Sequence, residues 1–353
     1  MITVLGGYLP ATAIESSAIP PGRLTHVFYA FATIEDGRLR LPPDAPSHLE
    51  TLRRLAPNTV LSIGGWGAGG FSDAALTDRS RAAFIEQTLA LASGFDGVDL
   101  DWEFPVAGGP PELTHRPDDR HNATLLAREL RAALGPARLL TAALPAGRLQ
   151  SAGPYDPAAS YGLEALAEVL DFVNLMTYDF GTGFSPIATF NAPFAEVPDE
   201  PMPPALRRWN NVTAAVDCYT AHGVPRDKLV LGVPFYGRAF RAAPPGLFQP
   251  QTGTLEPPDW RDIKRDYLSD PSWQQHRHPI ARSPWLYHPQ SQTFVSYEDP
   301  QSIEERARFA ATNGLRGAFT WQLAADDDEH TLLSAMTRPF GRDHGTGWNA
   351  PPV

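Results

Sequence analysis

The segment GFDGVDLDWEFP, residues 94–105, carries three carboxylates at alternating positions, Asp99, Asp101 and Glu103. Alternate side chains of a β-strand point to the same face, so this spacing predicts that all three acids share one side of a strand. The intervening apolar residues are expected to pack on the other side. Because each negative charge raises the pKa of its neighbours, the crowding favours acid–base chemistry over a purely structural role.

The elements that must position these acids are eight apolar segments with strand character, separated by helical patterns. The predicted strands lie at about residues 2–8, 24–33, 58–64, 94–103, 138–145, 170–178, 228–236 and 315–322. Predicted helices lie at 78–93, 119–135, 159–169, 205–222 and 302–314. In the last helix, Ser302 is expected to be the N-cap and Gly314 the C-terminal stop. Eight β-then-α units predict an α/β fold, a (β/α)8 TIM barrel.

The connection between the seventh and eighth predicted strands, residues 241–296, is too long for a loop without structure of its own. Several Trp and Tyr residues lie in it, and we predict a small α+β insertion domain there. The catalytic barrel is then expected to comprise residues 1–240 and 297–345. Residues 346–353 are expected to form a C-terminal tail.

Composition and charge exclude several classes of protein. With 42% hydrophobic and 20% charged residues, the chain is typical of a globular rather than a disordered protein. A formal net charge of −11 and the lack of a basic stripe argue against nucleic acid or an anionic membrane as a partner. No run approaches the ~20 apolar residues of a membrane span. Cys218, the single cysteine, is expected to be a buried apolar residue on a helix, so no intrachain disulfide forms.

Barrel enzymes carry their active sites at the carboxyl ends of the strands. Besides the three acids, the predicted strand ends carry a set of polar, aromatic and glycine residues. This set includes Tyr8, Phe31, Ser62, Gly65, Trp66, Met176, Tyr178, Asp179, Tyr236, Arg238 and Trp321. Carboxylates surrounded by aromatic rings suit a pyranose, whose C–H faces stack on the rings while its hydroxyls form hydrogen bonds.

Glycoside cleavage usually needs two carboxylates on opposite sides of the scissile bond. Here the seventh predicted strand ends in GVPFYGR without an acid, and the sixth offers only Asp179. The missing nucleophile predicts that the substrate supplies it, as a 2-acetamido sugar whose carbonyl oxygen attacks the anomeric carbon to give an oxazolinium ion. Glu103 would protonate the leaving oxygen, Asp101 would accept a hydrogen bond from the acetamido N–H, and Asp99 would share a proton with Asp101.

Two aromatic residues complete this interpretation of the predicted site. The hydroxyl of Tyr178 would orient the acetamido group, and the ring of Trp321 would form the floor of the sugar pocket.

At this point the sequence resembles glycoside hydrolase family 18, the chitinase family, which is known for substrate-assisted catalysis. The D-x-x-D-x-D-x-E signature of that family stands here as Asp96, Asp99, Asp101 and Glu103. Further matching motifs are SIGGW (62–66), MTYD (176–179), GVPFYGRAF (232–240), VSYEDPQSI (295–303) and GAFTWQ (317–322).

The resemblance implies a chitinase that hydrolyses β-1,4-linked N-acetylglucosamine chains with retention, without a metal or an organic cofactor. It implies Glu103 as acid/base, Asp101 as a mobile helper with Asp99 behind it, and Ser62 as support for this acid network. The expected substrate-binding residues are Tyr8, Phe31, Gly65, Trp66, Met176, Asp179, Phe184, Tyr236, Arg238 and Trp321. Phe184, in FGTGF, stands near where many chitinases carry a Trp. A soluble, secreted monomer with chitin or a chitooligosaccharide as its partner is expected.

Two alternatives remain open at this stage. An endo-β-N-acetylglucosaminidase acting on glycoprotein or peptidoglycan sugars would share the acids, although its insertion is typically shorter. A chitinase-like lectin would bind without cleaving, although such proteins commonly lose the residue corresponding to Glu103. Two further motifs are expected to be structural only. HRH (276–278) is predicted to be an exposed loop, and DDDEH (326–330) a solvated start to the last helix.

Overall fold

A computed structural model describes residues 2–14, 19–151, 153 and 155–341 of the chain. Its strands are β1 (Val4–Pro10), β2 (His26–Glu35), β3 (Arg38–Arg40), β4 (Asn58–Gly64), β5 (Gly97–Asp101), β6 (Leu139–Pro145), β7 (Phe172–Met176), β8 (Leu229–Pro234), β9 (Arg238–Ala242), β10 (Gln251–Leu255), β11 (Gln274–Arg277), β12 (Pro284–His288), β13 (Thr293–Ser296) and β14 (Gly317–Trp321).

The helices surround the sheet and follow its strands along the chain. They are α1 (Ala45–Leu55), α2 (Phe71–Ala75), α3 (Asp78–Leu91), α4 (Asp119–Leu134), α5 (Pro157–Ser160), α6 (Leu163–Val169), α7 (Pro204–Arg207), α8 (Val212–Ala221), α9 (Trp260–Asp262), α10 (Pro300–Thr312) and α11 (Thr331–Thr337). Within the described residues, no helix combines the length and apolar character that a membrane crossing requires.

Eight parallel strands close into a barrel, in the order β1, β14, β8, β7, β6, β5, β4 and β2, with β2 paired back to β1. Each predicted strand overlaps one of these strands, so the predicted TIM barrel is confirmed. A ring of aromatic side chains fills the barrel interior beneath the site, including Tyr8, Phe28, Phe172 and Phe319. Outside the sheet, apolar side chains of the strands pack against the helices.

Several predicted boundaries differ from the structure. Strand β5 ends at Asp101, so Glu103 follows the strand instead of continuing its alternation. The helix predicted at 205–222 is interrupted, because Asn211 accepts a hydrogen bond from the Ala214 N–H and starts α8 anew. The helix predicted at 159–169 is likewise divided into α5 and α6. Cys218 is buried on α8, as expected.

The N-cap of α10 also differs from the prediction. Asp299 occupies that position, and its carboxylate accepts the Ser302 N–H while the Ser302 hydroxyl accepts the Asp299 N–H. This reciprocal capping box places Pro300 at the first helical position, where no N–H is needed. Gly314 lies just beyond the C-terminal end of α10, with a φ of +72° that favours glycine.

The long connection between β8 and β14 contains a five-stranded antiparallel sheet, in the order β10, β9, β13, β12 and β11. The first of these strands along the chain, β9, begins at Arg238, three residues before the predicted start of the insertion at 241. The predicted domain limits, including the barrel segment 297–345, stay predictions. The predicted tail, residues 346–353, lies outside the described residues, as do residues 342–345.

Two motifs that were predicted to be merely solvated take part in secondary structure. His276 and Arg277 belong to the exposed strand β11, and the ring of His276 stacks on Trp285 with centroids 4.0 Å apart, so the loop prediction was wrong. Asp326 and Asp327 are buried and accept backbone N–H groups at the start of α11. The prediction that DDDEH is solvated was therefore wrong for these two residues. Their carboxylates accept hydrogen bonds from the N–H groups at the buried start of α11, and they are buried together with it.

A buried ion pair lies where the insertion meets the barrel. Arg306 on α10 and Glu298 are both fully buried, with Nη1 and Oε2 3.0 Å apart. The same guanidinium donates to the backbone oxygen of Ala192, in the loop after β7, and to the hydroxyl of Ser283, next to β12. Burial raises the pKa of Glu298 to about 7, while Arg306 opposes that rise.

Replacing Arg306 with Met is expected to lower the free energy of unfolding by about 3–5 kcal/mol, because Glu298 stays buried without its cation. The loss should be larger at about pH 8 than at about pH 5, since at low pH the unpaired carboxyl can bind a proton and become neutral. Urea denaturation measures both values. Arg308→Met is the matched control, because it removes an exposed α10 arginine paired with Glu304 and should cost less than about 1 kcal/mol. Equal losses in the two variants would contradict this account.

Candidate active site

A cavity of about 540 Å³ opens where the barrel strands end. Asp101 and Glu103 line it together with aromatic and polar side chains from other strand ends and from the insertion. The lining residues are Tyr8, Phe31, Trp66, Asp101, Glu103, Ala143, Gln150, Met176, Tyr178, Asp179, Thr182, Gly183, Phe184, Tyr236, Arg238, Pro257, Asp259, Trp321 and Gln322.

Asp99 lies beneath the cavity, fully buried, and accepts hydrogen bonds from hydroxyl groups on the two neighbouring strands β4 and β6 and on β1 across the barrel interior. Its Oδ2 accepts hydrogen bonds from Tyr8 (2.9 Å) and Ser62 (2.8 Å), and its Oδ1 accepts one from Thr141 (2.6 Å). The strand pairing explains this arrangement, because Ser62 on β4 and Thr141 on β6 are the registered partners of Asp99. Burial raises the pKa of Asp99, and the three hydroxyl donors oppose that rise.

Asp101 ends β5 and lines the cavity with only 4% of its surface exposed. Its Oδ1 is buried and accepts no hydrogen bond within the described part of the chain. Burial raises the pKa of Asp101 well above its usual value, and the charges of Glu103 and Asp99 raise it further. A buried oxygen without a donor is costly, so this atom is suited to a donor that a ligand brings into the cavity.

Glu103 follows β5 and is partly buried at the cavity wall. The turn that carries it is held by Tyr161, whose hydroxyl donates to the backbone oxygen of Trp102 at 2.5 Å. Burial raises the pKa of Glu103 to about 8, Asp179 contributes in the same direction, and Arg238 opposes them. A carboxylic acid with this pKa keeps its proton at neutral pH and can donate it to a bound group.

Asp179, just after β7, forms a fixed cluster with two residues that follow β8. Its Oδ1 accepts hydrogen bonds from the Tyr236 hydroxyl (2.6 Å) and from Arg238 Nε (2.8 Å), and Arg238 Nη2 lies 2.6 Å away. The backbone of Asp179 has a φ of +56°, and its N–H donates to Asn191 Oδ1. Tyr178, the residue before Asp179, is buried, and its ring lies edge-on to that of Tyr236 with centroids 6.1 Å apart.

Several aromatic rings line the cavity. Trp321, at the end of β14, stacks on Phe31 with centroids 5.5 Å apart and lies 5.8 Å from Tyr8. Trp66 and Phe184 are among the most exposed large apolar side chains of the described residues, at 54% and 37%. Exposed rings beside buried acids are suited to stacking against a sugar.

Twelve of the fifteen sequence-predicted site residues line the cavity, and the remaining three lie behind it. Asp99 and Ser62 form the buried hydrogen bond described above. Gly65 donates its N–H to the Asp101 carbonyl at 2.9 Å, and a Cβ at Gly65 would lie 2.7 Å from the Phe31 ring. The φ of +91° and the close approach of Phe31 both favour glycine there, and a role of Gly65 in substrate binding stays a prediction.

Sequence reasoning missed seven lining residues, Ala143, Gln150, Thr182, Gly183, Pro257, Asp259 and Gln322. Ala143 lies on β6 and Gln322 follows Trp321, so attention to every strand end would have found them. Pro257 and Asp259 lie in the insertion, where the alternation of a barrel strand does not predict which side chains point toward the cavity. Among the described residues, no group of three or more His, Cys, Asp or Glu side chains is arranged to hold a metal ion.

Comparison with known proteins finds one family model and several relatives that match most of the chain. A family model, Glycosyl hydrolases family 18, matches residues 5–326. Chitinase A1 of Niallia circulans is 33% identical over 330 residues, which span 87% of this chain and 46% of that protein. Chitotriosidase-1 of Mus musculus is 34% identical over 356 residues, spanning 94% of this chain and 74% of that protein. The chain thus spans about half the length of chitinase A1.

Solved structures are similar over nearly the whole chain. One is a glycoside hydrolase family 18 N-acetylglucosaminidase from Paenibacillus barengoltzii, with a TM-score of 0.83, 29% identity, and coverage of 96% of this chain and 99% of that one. Another is the Group IV chitinase of Ostrinia furnacalis in complex with allosamidin, with a TM-score of 0.83, 25% identity, and coverage of 96% and 98%.

The electrostatic cluster makes a prediction for the pKa of Glu103. In Asp179→Asn, a negative charge that raises this pKa is lost and Arg238 loses its partner, so both changes favour ionised Glu103. The pKa of Glu103 should fall from about 8, as measured by NMR titration of side-chain-labelled glutamate. Asp36→Asn, at an exposed turn with φ +49°, is the matched control with the same charge change. An unchanged or higher pKa in Asp179→Asn would contradict the proposed cause.

Proposed function

The chain belongs to glycosyl hydrolase family 18, and we propose that it is a chitinase, hydrolysing β-1,4-linked N-acetylglucosamine polymers and oligomers with retention of configuration. The observation that carries this proposal is the pairing of Glu103 with Asp101 at one cavity wall. Glu103 holds a proton at neutral pH, and Asp101 offers a buried oxygen without a donor. That pair matches what an acetamido sugar needs in order to attack its own anomeric carbon.

Glu103 acts as the general acid that protonates the leaving oxygen and then as the base that activates water. Asp101 accepts the acetamido N–H through its unpaired Oδ1, which stabilises the positive charge of the oxazolinium ion. Asp99 shares a proton with Asp101, since two neighbouring buried carboxylates ionise together only at high cost. Ser62 and Tyr8 hold Asp99 in place for that exchange.

Asp179 is the carboxylate whose charge acts on Glu103. Arg238 and Tyr236 already bind its Oδ1, which makes it a poor nucleophile, so the acetamido carbonyl takes that role. Tyr178 and Asp179 orient the acetamido group above the Trp321 floor. The remaining expected site residues, Phe31, Trp66, Met176, Phe184, Tyr236 and Arg238, line the groove for the neighbouring sugars.

The insertion contributes one wall of this groove, because Pro257 and Asp259 line the cavity. A neutral polysaccharide also fits a chain of net charge −11. Chitin and chitooligosaccharides are the proposed substrates, supported by the chitinases among the similar proteins. An extracellular location and a monomeric state accompany this proposal.

A second candidate is release of single N-acetylglucosamine units. It is favoured by the similarity to the family 18 N-acetylglucosaminidase of Paenibacillus barengoltzii. Both candidates use the same acids, so product length separates them. Release of dimers and longer products supports the chitinase, and monomer alone supports the second candidate. The lectin alternative is disfavoured, since Glu103 and Asp101 are both present at the cavity wall.

Glu103→Gln should lower kcat on N-acetylchitohexaose by at least about 10²–10⁴-fold, because the amide cannot donate the proton that general acid catalysis requires. Chromatography of the products measures both rate and product length. Glu112→Gln is the control, because it removes an exposed acid of the same loop and should keep wild-type turnover. Near-normal turnover in a folded Glu103→Gln protein would contradict the assignment of Glu103.

A further inference from the structure

Asp259 lines the cavity from the insertion side, beside the residues of the seventh barrel strand. Backbone hydrogen bonds fix its segment there, from the Gly237 N–H to Pro258 O (2.8 Å) and from the Trp260 N–H to Phe235 O (2.9 Å). Asp259 also stands at the N-cap of α9, but its carboxylate makes no cap hydrogen bond. The side chain therefore faces the cavity instead of taking the local role that an N-cap aspartate usually has.

The charge of Asp259 has no bound cation within the described part of the chain, where neither a hydrogen bond nor an ion pair involves its carboxylate. Arg238, the one arginine among the cavity-lining residues, binds Asp179 through Nε and Nη2. Arg261, on α9, donates to the backbone oxygens of Ala324 and Asp326. Burial raises the pKa of Asp259, Asp262 adds to that rise, and the charge of Arg261, which forms no ion pair with Asp259, opposes it.

The other acids of the cavity contribute less net charge than their number indicates. Glu103, with a pKa of about 8, is protonated at neutral pH, and Arg238 neutralises Asp179. Asp259 is the lining carboxylate on the insertion side, and apart from Arg238 no arginine or lysine of the described residues lines the cavity to form an ion pair with it. Independently, the buried Asp101 Oδ1 has no donor within the described residues, so the same cavity is suited to a ligand that carries N–H groups.

We propose that Asp259 binds the free ammonium group of a glucosamine unit, so that the site selects partly N-deacetylated chains. The sugar at Glu103 and Asp101 keeps its acetamido group, and the unit beside Asp259 carries the amine. This inference rests on the proposed function and deepens it, by naming a mixed acetylated and deacetylated chain as the substrate class.

The physical reason lies in the difference between an amine and a hydroxyl as ligands. A carboxylate and an asparagine amide can both accept a hydrogen bond from a sugar hydroxyl. Only the carboxylate adds charge attraction to an ammonium group, and part of that attraction persists because Asp259 is partly buried. Asp259→Asn thus separates amine binding from hydroxyl binding at an unchanged side-chain size.

The experiment compares kcat/KM for two sets of tetramers, fully N-acetylated and carrying one glucosamine, with the products sequenced by mass spectrometry. Wild type should favour the isomers with the amine at one fixed position relative to the cleaved bond. Asp259→Asn should lower that preference about fivefold, and added salt should lower it in wild type as well. Glu256→Gln, which removes an exposed acid three residues away that does not line the cavity, should keep the wild-type preference.

Binding provides the second readout, measured by calorimetry with the same tetramers in a Glu103→Gln background. The ratio of the two dissociation constants should again depend on Asp259 and not on Glu256. An equal preference in wild type and Asp259→Asn, by rate and by binding, would overturn the inference while leaving the proposed function intact. Cleavage of neither tetramer by wild type would contradict the proposed function, and the calorimetric ratio would still decide whether Asp259 binds the amine.

Discussion

Three carboxyl groups crowd the end of β5, and a buried site cannot keep all of them ionised. Asp99 is stabilised by three hydroxyl donors, whereas Asp101 has an oxygen with no donor and Glu103 has a pKa raised to about 8. The three environments therefore give the three acids different roles: Asp99 is fixed by hydrogen bonds, Asp101 is a hydrogen-bond acceptor, and Glu103 is a proton donor. The acid chemistry of the cavity depends on this separation of roles.

The barrel supplies these different environments through strand register. Neighbouring strands place Ser62 and Thr141 beside Asp99, and Tyr8 reaches it from across the interior. Above them, the turn after β5 lifts Glu103 into reach of Asp179 and Arg238, so a second cluster adjusts the pKa of the proton donor. The insertion then closes one side with Asp259, and the cavity becomes a groove with chemically different walls.

The sequence predicted what periodicity and strand ends encode. Eight apolar segments sufficed for the barrel, and alternation placed Asp99 and Asp101 on one face of β5. Alternation did not predict the position of Glu103, because the strand ends before this residue and a turn sets its position. Asp259 was missed for a related reason: its direction depends on tertiary backbone bonds to residues 235–237, which no local pattern shows. The capping of α10 by Asp299 and the burial of Asp326 likewise depend on neighbours distant from any periodic signal.

The central claim is that the substrate's acetamido oxygen is the nucleophile, with Asp101 and Glu103 assisting it. Anomer-resolved NMR during the first turnovers of an N-acetylchitooligosaccharide tests this claim most directly. Two displacements at the same carbon restore the original configuration, so the account predicts β-configured product first, and no cleavage of the fully deacetylated oligomer. An α-configured first product, or efficient cleavage of the fully deacetylated chain, would contradict it.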